Sequence, residues 1–128
     1  MVTKVLKNHS CYFNFNELSK PINDIIAYEY IGWNSLTITK FYIPNGKKIT
    51  NSFINQNYPY LINKEKIFVT TQGNIKLKLD KIDKPFKEFD ALDILSDNTN
   101  YNFSSEQDTS IFMISAKDLN PRKGIPNF

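Results

Sequence analysis

The side chains that could do chemistry in this chain are mostly tyrosines, lysines and amides. It has one histidine, His9, and one cysteine, Cys11. A transition-metal site needs several imidazole or thiolate ligands at converging positions. One of each, near the N-terminus, does not supply them, so no metal is expected. An oxygen-only site for Ca²⁺ or Mg²⁺ would need a carboxylate cluster, and none is evident. A Ser-His-Asp set would have to rest on that one histidine, and no glycine-rich loop precedes a helix to cradle phosphate. Cys11 lacks a neighbouring group to activate it and reads as a small core residue. What remains is Tyr58, Tyr60 and Tyr101, with Glu65 and Lys66. A tyrosine beside a lysine can have its pKa lowered from about 10 and serve as general acid or base. The amides Asn51, Asn55, Gln56, Asn57 and Asn63 crowd the same stretch and could hydrogen-bond hydroxyls. The alternative is plain: Tyr and Phe fill barrel interiors, and amides furnish turns.

Composition narrows the partners. Sixteen basic and 13 acidic residues in 128 give a net charge of +3. The one dense charged run, Asp80 to Glu88, alternates in sign and reads as a solvated loop, not a phosphate track. Nucleic acid is not an expected partner. No apolar run approaches a membrane span of about 20 residues, and the first residues lack the apolar core of a signal peptide. A cytoplasmic protein is expected, with no cofactor.

The elements that must position these residues are short strands between turn signals, which predicts an all-β sandwich or barrel in one domain. Residues 25–31 and 35–43 read as strands. Residues 47–61 read as irregular, with Pro59 arguing against a central strand. Only residues 15–20 look locally helical, for one turn. Lys66–Thr71 and Ile75–Asp80, separated by Gln72-Gly73-Asn74, read as a hairpin, with Ile75, Leu77 and Leu79 facing the core. A charged loop then leads to strands at 91–95, 101–103 and 110–115.

The spacing of the second half resembles the small cupins. In that family's second motif the register places Asp90 and Asn98 at glycines, Ser96 at a proline, Tyr101 at the metal-binding histidine and Ser105 at an asparagine. The register matches and the identities do not. In the first motif Gly73 matches the closing glycine, which puts Lys66 in the glutamate place, with Glu65 one residue earlier. Where the family has its histidine pair, this chain has Tyr58-Pro59-Tyr60. The resemblance spans residues 36–116, between an N-terminal arm (1–24) and a C-terminal tail (117–128). It implies a jelly-roll, double-stranded β-helix barrel with a pocket at one end, and it does not itself imply a function.

On that register Tyr101, Tyr60, Lys66 and Glu65 are the candidate catalytic groups. Tyr58, Tyr60, Asn55, Asn57, Phe68, Tyr101 and Phe103 are the candidate ligand-binding groups. The expected function is a metal-free domain holding a small polar, sugar-like ligand. Two alternatives stand beside it: a metal-independent isomerase, epimerase or lyase using Tyr, Lys and Glu for proton transfer, and an assembly protein acting as a homodimer. A barrel plugged by its own aromatic rings would favour the last.

Overall fold

A computed structural model of the chain describes residues 3–5, 11–13, 16–17, 21–31, 36–95 and 98–116. Among them are twelve strands, one α-helix and one 3-10 turn. The strands are β1 (Thr3–Val5), β2 (Cys11–Phe13), β3 (Asn16–Glu17), β4 (Ile26–Ile31), β5 (Leu36–Ile43), β6 (Lys48–Thr50), β7 (Lys66–Gln72), β8 (Ile75–Leu79), β9 (Ile82–Phe86), β10 (Ala91–Ile94), β11 (Tyr101–Ser105) and β12 (Thr109–Ala116). Helix α1 (Asn51–Asn57) and the 3-10 turn Pro59–Leu61 lie between β6 and β7. All pairings are antiparallel. One sheet has six strands in the order β10-β7-β12-β5-β4-β3, a second has four in the order β6-β11-β8-β9, and β1 pairs with β2.

The period-2 alternation of side chains decides which face each strand buries. In β5, Thr37, Thr39, Phe41 and Ile43 are buried while Leu36 and Ile38 lie on the other face. The inner face of the six-stranded sheet adds Phe68, Ile111 and Met113. The four-stranded sheet faces it with Ile49, Ile75, Leu77, Tyr101 and Phe103. From β5 onward the chain alternates between the two sheets, with β8 to β9 the one step inside a sheet. Two antiparallel sheets enclosing one core, built by this alternation, are a jelly-roll barrel.

Four local expectations are corrected. The stretch 66–80 is no hairpin: β7 pairs with β12 and β10, whereas β8 pairs with β11 and β9. Its turn is a corner between sheets. Gly73 makes that corner with φ +82°, and a Cβ there would stand 2.8 Å from Thr109 Oγ1. The charged run read as a loop contains β9. This is an edge strand whose Ile82–Pro85 side chains are exposed. Proline and charge suit an edge that must not pair further. Residues 47–61 hold β6 and α1. Asparagine is a poor helix former, but the Thr50 side chain caps Phe53 N–H at 3.1 Å and the helix buries Phe53 and Ile54. Tertiary burial and a cap outweigh propensity. The helical turn expected at 15–20 is also not found where it can be seen: Asn16–Glu17 is β3, and the rest lies outside the described residues. Among the described residues no helix is long and apolar enough to cross a membrane.

Candidate functional site

The middle of the barrel is filled with rings. Phe68 stands 5.2 Å from Tyr101 and 5.0 Å from Phe103, between ring centroids, and Phe86 packs on Phe103 at 5.2 Å. Phe68 and Phe103 are fully buried and Tyr101 is 4% exposed. Tilted and edge-on pairs of this kind each add roughly 0.5–1.5 kcal/mol beyond the area they bury. Three of the sequence candidates therefore meet inside the barrel, in a packed cluster.

One end of the barrel is polar. Inward positions alternate along β5, β12 and β7, and the register aligns Thr37 with Ser115 and Ser115 with Lys66. All three are buried, as is Thr39. Thr37 Oγ1 donates to the Ser115 carbonyl at 3.2 Å, and Ser115 Oγ donates to the Glu65 carbonyl at 2.6 Å. Lys66 Nζ donates to the Lys64 carbonyl at 2.9 Å. Burying a lysine is costly unless its ammonium is hydrogen-bonded, and backbone carbonyl oxygens serve that need. Beside Thr39, in register on β4, lies Glu29. It shares the inward face with Ile25 and Ala27 and is half-buried.

The segment after α1 closes against these residues. Its packing starts from Tyr58, whose ring meets Phe41 edge-on at 5.7 Å and Tyr60 at 6.3 Å. Pro59 opens the 3-10 turn that points Tyr60 at β4, and Tyr60 Oη donates to Glu29 Oε2 at 2.6 Å. Tyr60 stays 39% exposed, so this pair is reachable from solvent. Two hydroxyls nearby, Tyr58 Oη and Thr39 Oγ1, are buried and have no hydrogen-bond partner among the described residues. A buried hydroxyl left unpaired costs about 1–3 kcal/mol.

Electrostatics set what these tyrosines can do. Burial, with the Glu29 carboxylate close by, pushes Tyr58 well above the ordinary tyrosine value. Burial and the hydrogen bond to Glu29 do the same to Tyr60. The expectation that a lysine lowers a tyrosine pKa is therefore corrected for this pair: the charge facing them is negative. Both hold their protons near neutral pH; Tyr60 donates its proton to Glu29, and the Tyr58 hydroxyl has no partner among the described residues.

The other sequence candidates lie elsewhere. Glu65 is exposed just before β7, and the neighbouring Asp93 carboxylate raises its pKa above the ordinary value by sharing its proton. Lys66, not Glu65, takes the inward position. Asn55 and Asn57 are half-buried on α1. Asn57 Nδ2 donates to the Phe53 carbonyl at 2.9 Å, and Asn57 lines a surface groove with Gln56 and Lys48, away from the ring cluster. Glu29 and Thr39 were not singled out from the sequence. The available signal was alternation: Ile25, Ala27 and Glu29 share one face of the strand, and only Glu29 is charged.

The residues in the ligand register do not fit a divalent metal. Lys66 is a cation, and Tyr101 is packed among rings. Among the described residues no three His, Cys, Asp or Glu side chains come together.

No protein-family model matches the chain, and no curated protein matches it either. Solved structures do. KdgF from a Halomonas species superposes with a TM-score of 0.61 at 11% identity, over 86% of this chain and 91% of that one. A cupin superfamily protein from Desulfitobacterium hafniense gives 0.59 at 11% identity, over 79% and 84%. A sugar phosphate isomerase of the cupin superfamily from Silicibacter pomeroyi gives 0.58 at 9% identity, over 78% and 68%. Likeness at such identities establishes architecture alone, and with the sheet order and the chain's alternation between sheets it identifies this chain's fold as the cupin barrel.

Proposed function

We propose that the domain binds a small, uncharged polyhydroxyl ligand, such as a sugar, at the polar barrel end, without a metal. The observation that carries this reading is the pair of buried, unpartnered hydroxyls of Tyr58 and Thr39 beside the solvent-reachable Tyr60–Glu29 hydrogen bond. A hydroxyl is both donor and acceptor, so a ligand rich in hydroxyls can satisfy two such groups and the Glu29 carboxylate together. Ring-filling of the middle moves the site from the barrel centre to its mouth. Proton-transfer chemistry is less well supported, because a general acid or base works best with a pKa near the operating pH, and Tyr58 and Tyr60 are shifted away from it.

Calorimetric titration with neutral hexoses and pentitols tests the reading. Binding by at least one of them is expected. Glu29→Gln should weaken it by about 10- to 100-fold, the cost of a charge-assisted hydrogen bond. No binding across the panel, or binding indifferent to Glu29→Gln, would overturn it.

An assembly role is the second reading, and two observations favour it: the barrel middle is filled by its own rings, and one outer face is apolar. The outer face of the six-stranded sheet carries the cross-strand row Ile38–Ile114–Ile67, all half-buried, with Val69 beside it. A homodimer through this face would be seen by sedimentation and abolished by Ile67→Lys.

A further inference from the structure

A second feature lies on the outside of the same sheet, away from the barrel mouth. A cleft of about 460 Å³ is lined by Ile26, Tyr28, Lys40, Tyr42, Gln72 and Ser110. That volume falls in the range of small-molecule pockets. Four of the six form one row across four strands, because Ile26 pairs with Tyr42, Tyr42 with Ser110 and Ser110 with Gln72. Tyr28 and Lys40 form the adjoining row.

The row exists because of a bulge. The register between β12 and β7 slips between Ser110 and Ile111, so that Ile111 meets Thr70 while Ser110 meets Gln72. Strict alternation would set Thr71 opposite Ser110. The extra residue aims Gln72 at the cleft, which is the usual effect of a bulge.

The chemistry of the lining is selective. Two tyrosines and an isoleucine offer flat apolar walls. Gln72 and Ser110 offer uncharged donors and acceptors. Lys40 is the only charged group among the lining residues, and among the described residues no ion pair engages it. A carboxylate outside the lining, Asp108, lies beside the Tyr42 hydroxyl, where it raises the tyrosine pKa, and accepts from the Asn45 N–H at 3.0 Å; Glu17 on β3 stands in register with Tyr28. Asp108 steadies one wall of the cleft. From this arrangement we infer that the outer cleft is a binding site for a small ring-bearing carboxylate, its anion on Lys40 and its ring against Tyr28 and Tyr42. The carboxylate can come from an aromatic acid or a sugar acid, since either presents a flat apolar face to a tyrosine.

Nuclear magnetic resonance titration with benzoate and with glucuronate separates these sources, with glucose and acetate as controls for the missing charge and the missing ring. At least one ring-bearing acid should shift the amides of Tyr28, Lys40, Tyr42 and Gln72. Lys40→Met should weaken that response at least tenfold. Glu29→Gln, which disables the proposed barrel-end site, should leave it unchanged, so failure of one site is distinguishable from failure of the other. No shift at this row with either acid, an equal response to glucose or acetate, or a response insensitive to Lys40→Met would each overturn the inference. So would loss of the row's signals on raising protein concentration alone, which would make the cleft a contact between copies of the chain.

Discussion

Phe68 and Lys66 lie two residues apart on the same inward face of β7, and both are fully buried. Around Phe68 the barrel is a packed cluster of rings. Around Lys66 it is a shell of hydroxyls and carbonyls, from Thr37, Ser115 and the backbone; Glu29 and Thr39 lie one row along, in register with Phe68 through Met113, and Tyr60 reaches Glu29 there. The same strands thus build a cluster of rings and, alongside it, buried hydroxyls that are not all paired among the described residues: Thr39 and Tyr58 near Glu29, and Thr70 two residues beyond Phe68. Apolar rings satisfy one another by contact, whereas each buried hydroxyl requires a directed partner. The difference teaches where in this barrel a ligand would have something to add.

Substitutions should separate the two regions. The largest effect is expected in the middle: Phe68→Ala should lower the free energy of unfolding by about 3–5 kcal/mol, by lost burial and the cavity left behind. Chemical denaturation measures it, and a loss below about 1 kcal/mol would mean that the rings are not packed as described. A smaller effect of opposite sign is expected at the end. Tyr58→Phe deletes an unpartnered buried hydroxyl, so stability should hold or rise by up to about 1–3 kcal/mol, while sugar binding weakens. A clear loss of stability would show that the hydroxyl already has a partner.

The smallest effect concerns pH. Tyr58 and Tyr60 have pKa values raised above the ordinary 10.0 in the folded state. A raised pKa means that the folded form favours the protonated phenol. Its contribution is therefore complete below pH 10 and is lost as pH climbs beyond it through the folded values. Unfolding monitored between pH 9 and 12 should show falling stability at the alkaline end. Glu29→Gln should flatten that fall in part, since burial continues to act on both phenols after the charge is gone.

Much of the architecture could be read from alternation. The buried positions Ile75 and Leu77 stand where their period-2 pattern places them, and the all-β barrel follows from such strands. Corners were harder. Gln72-Gly73-Asn74 carries the same local signal whether the chain returns along its own strand or crosses to the other sheet. Long-range pairing with β12 and β11 decides between them. Helix α1 was hidden by its asparagines, because its cap and its buried Phe53 and Ile54 matter more than its composition. At the barrel end, Tyr58, Tyr60 and Lys66 were legible as polar groups near a cupin-like register. Their counter-charge was not: Glu29 comes from a strand some thirty residues earlier, brought into place only by pairing β4 with β5.

The central claim is that the polar end, and not the ring-filled middle, receives the ligand. Its most direct measurement is a nuclear magnetic resonance titration with a neutral sugar that binds, followed on the amides of Glu29, Thr39, Tyr58 and Tyr60 and on the ring signals of Phe68 and Phe103. The account predicts saturable shifts in the first group, abolished by Glu29→Gln, with the rings of the second little changed. Shifts centred on Phe68 and Phe103, with Glu29 and Tyr60 silent, would contradict it.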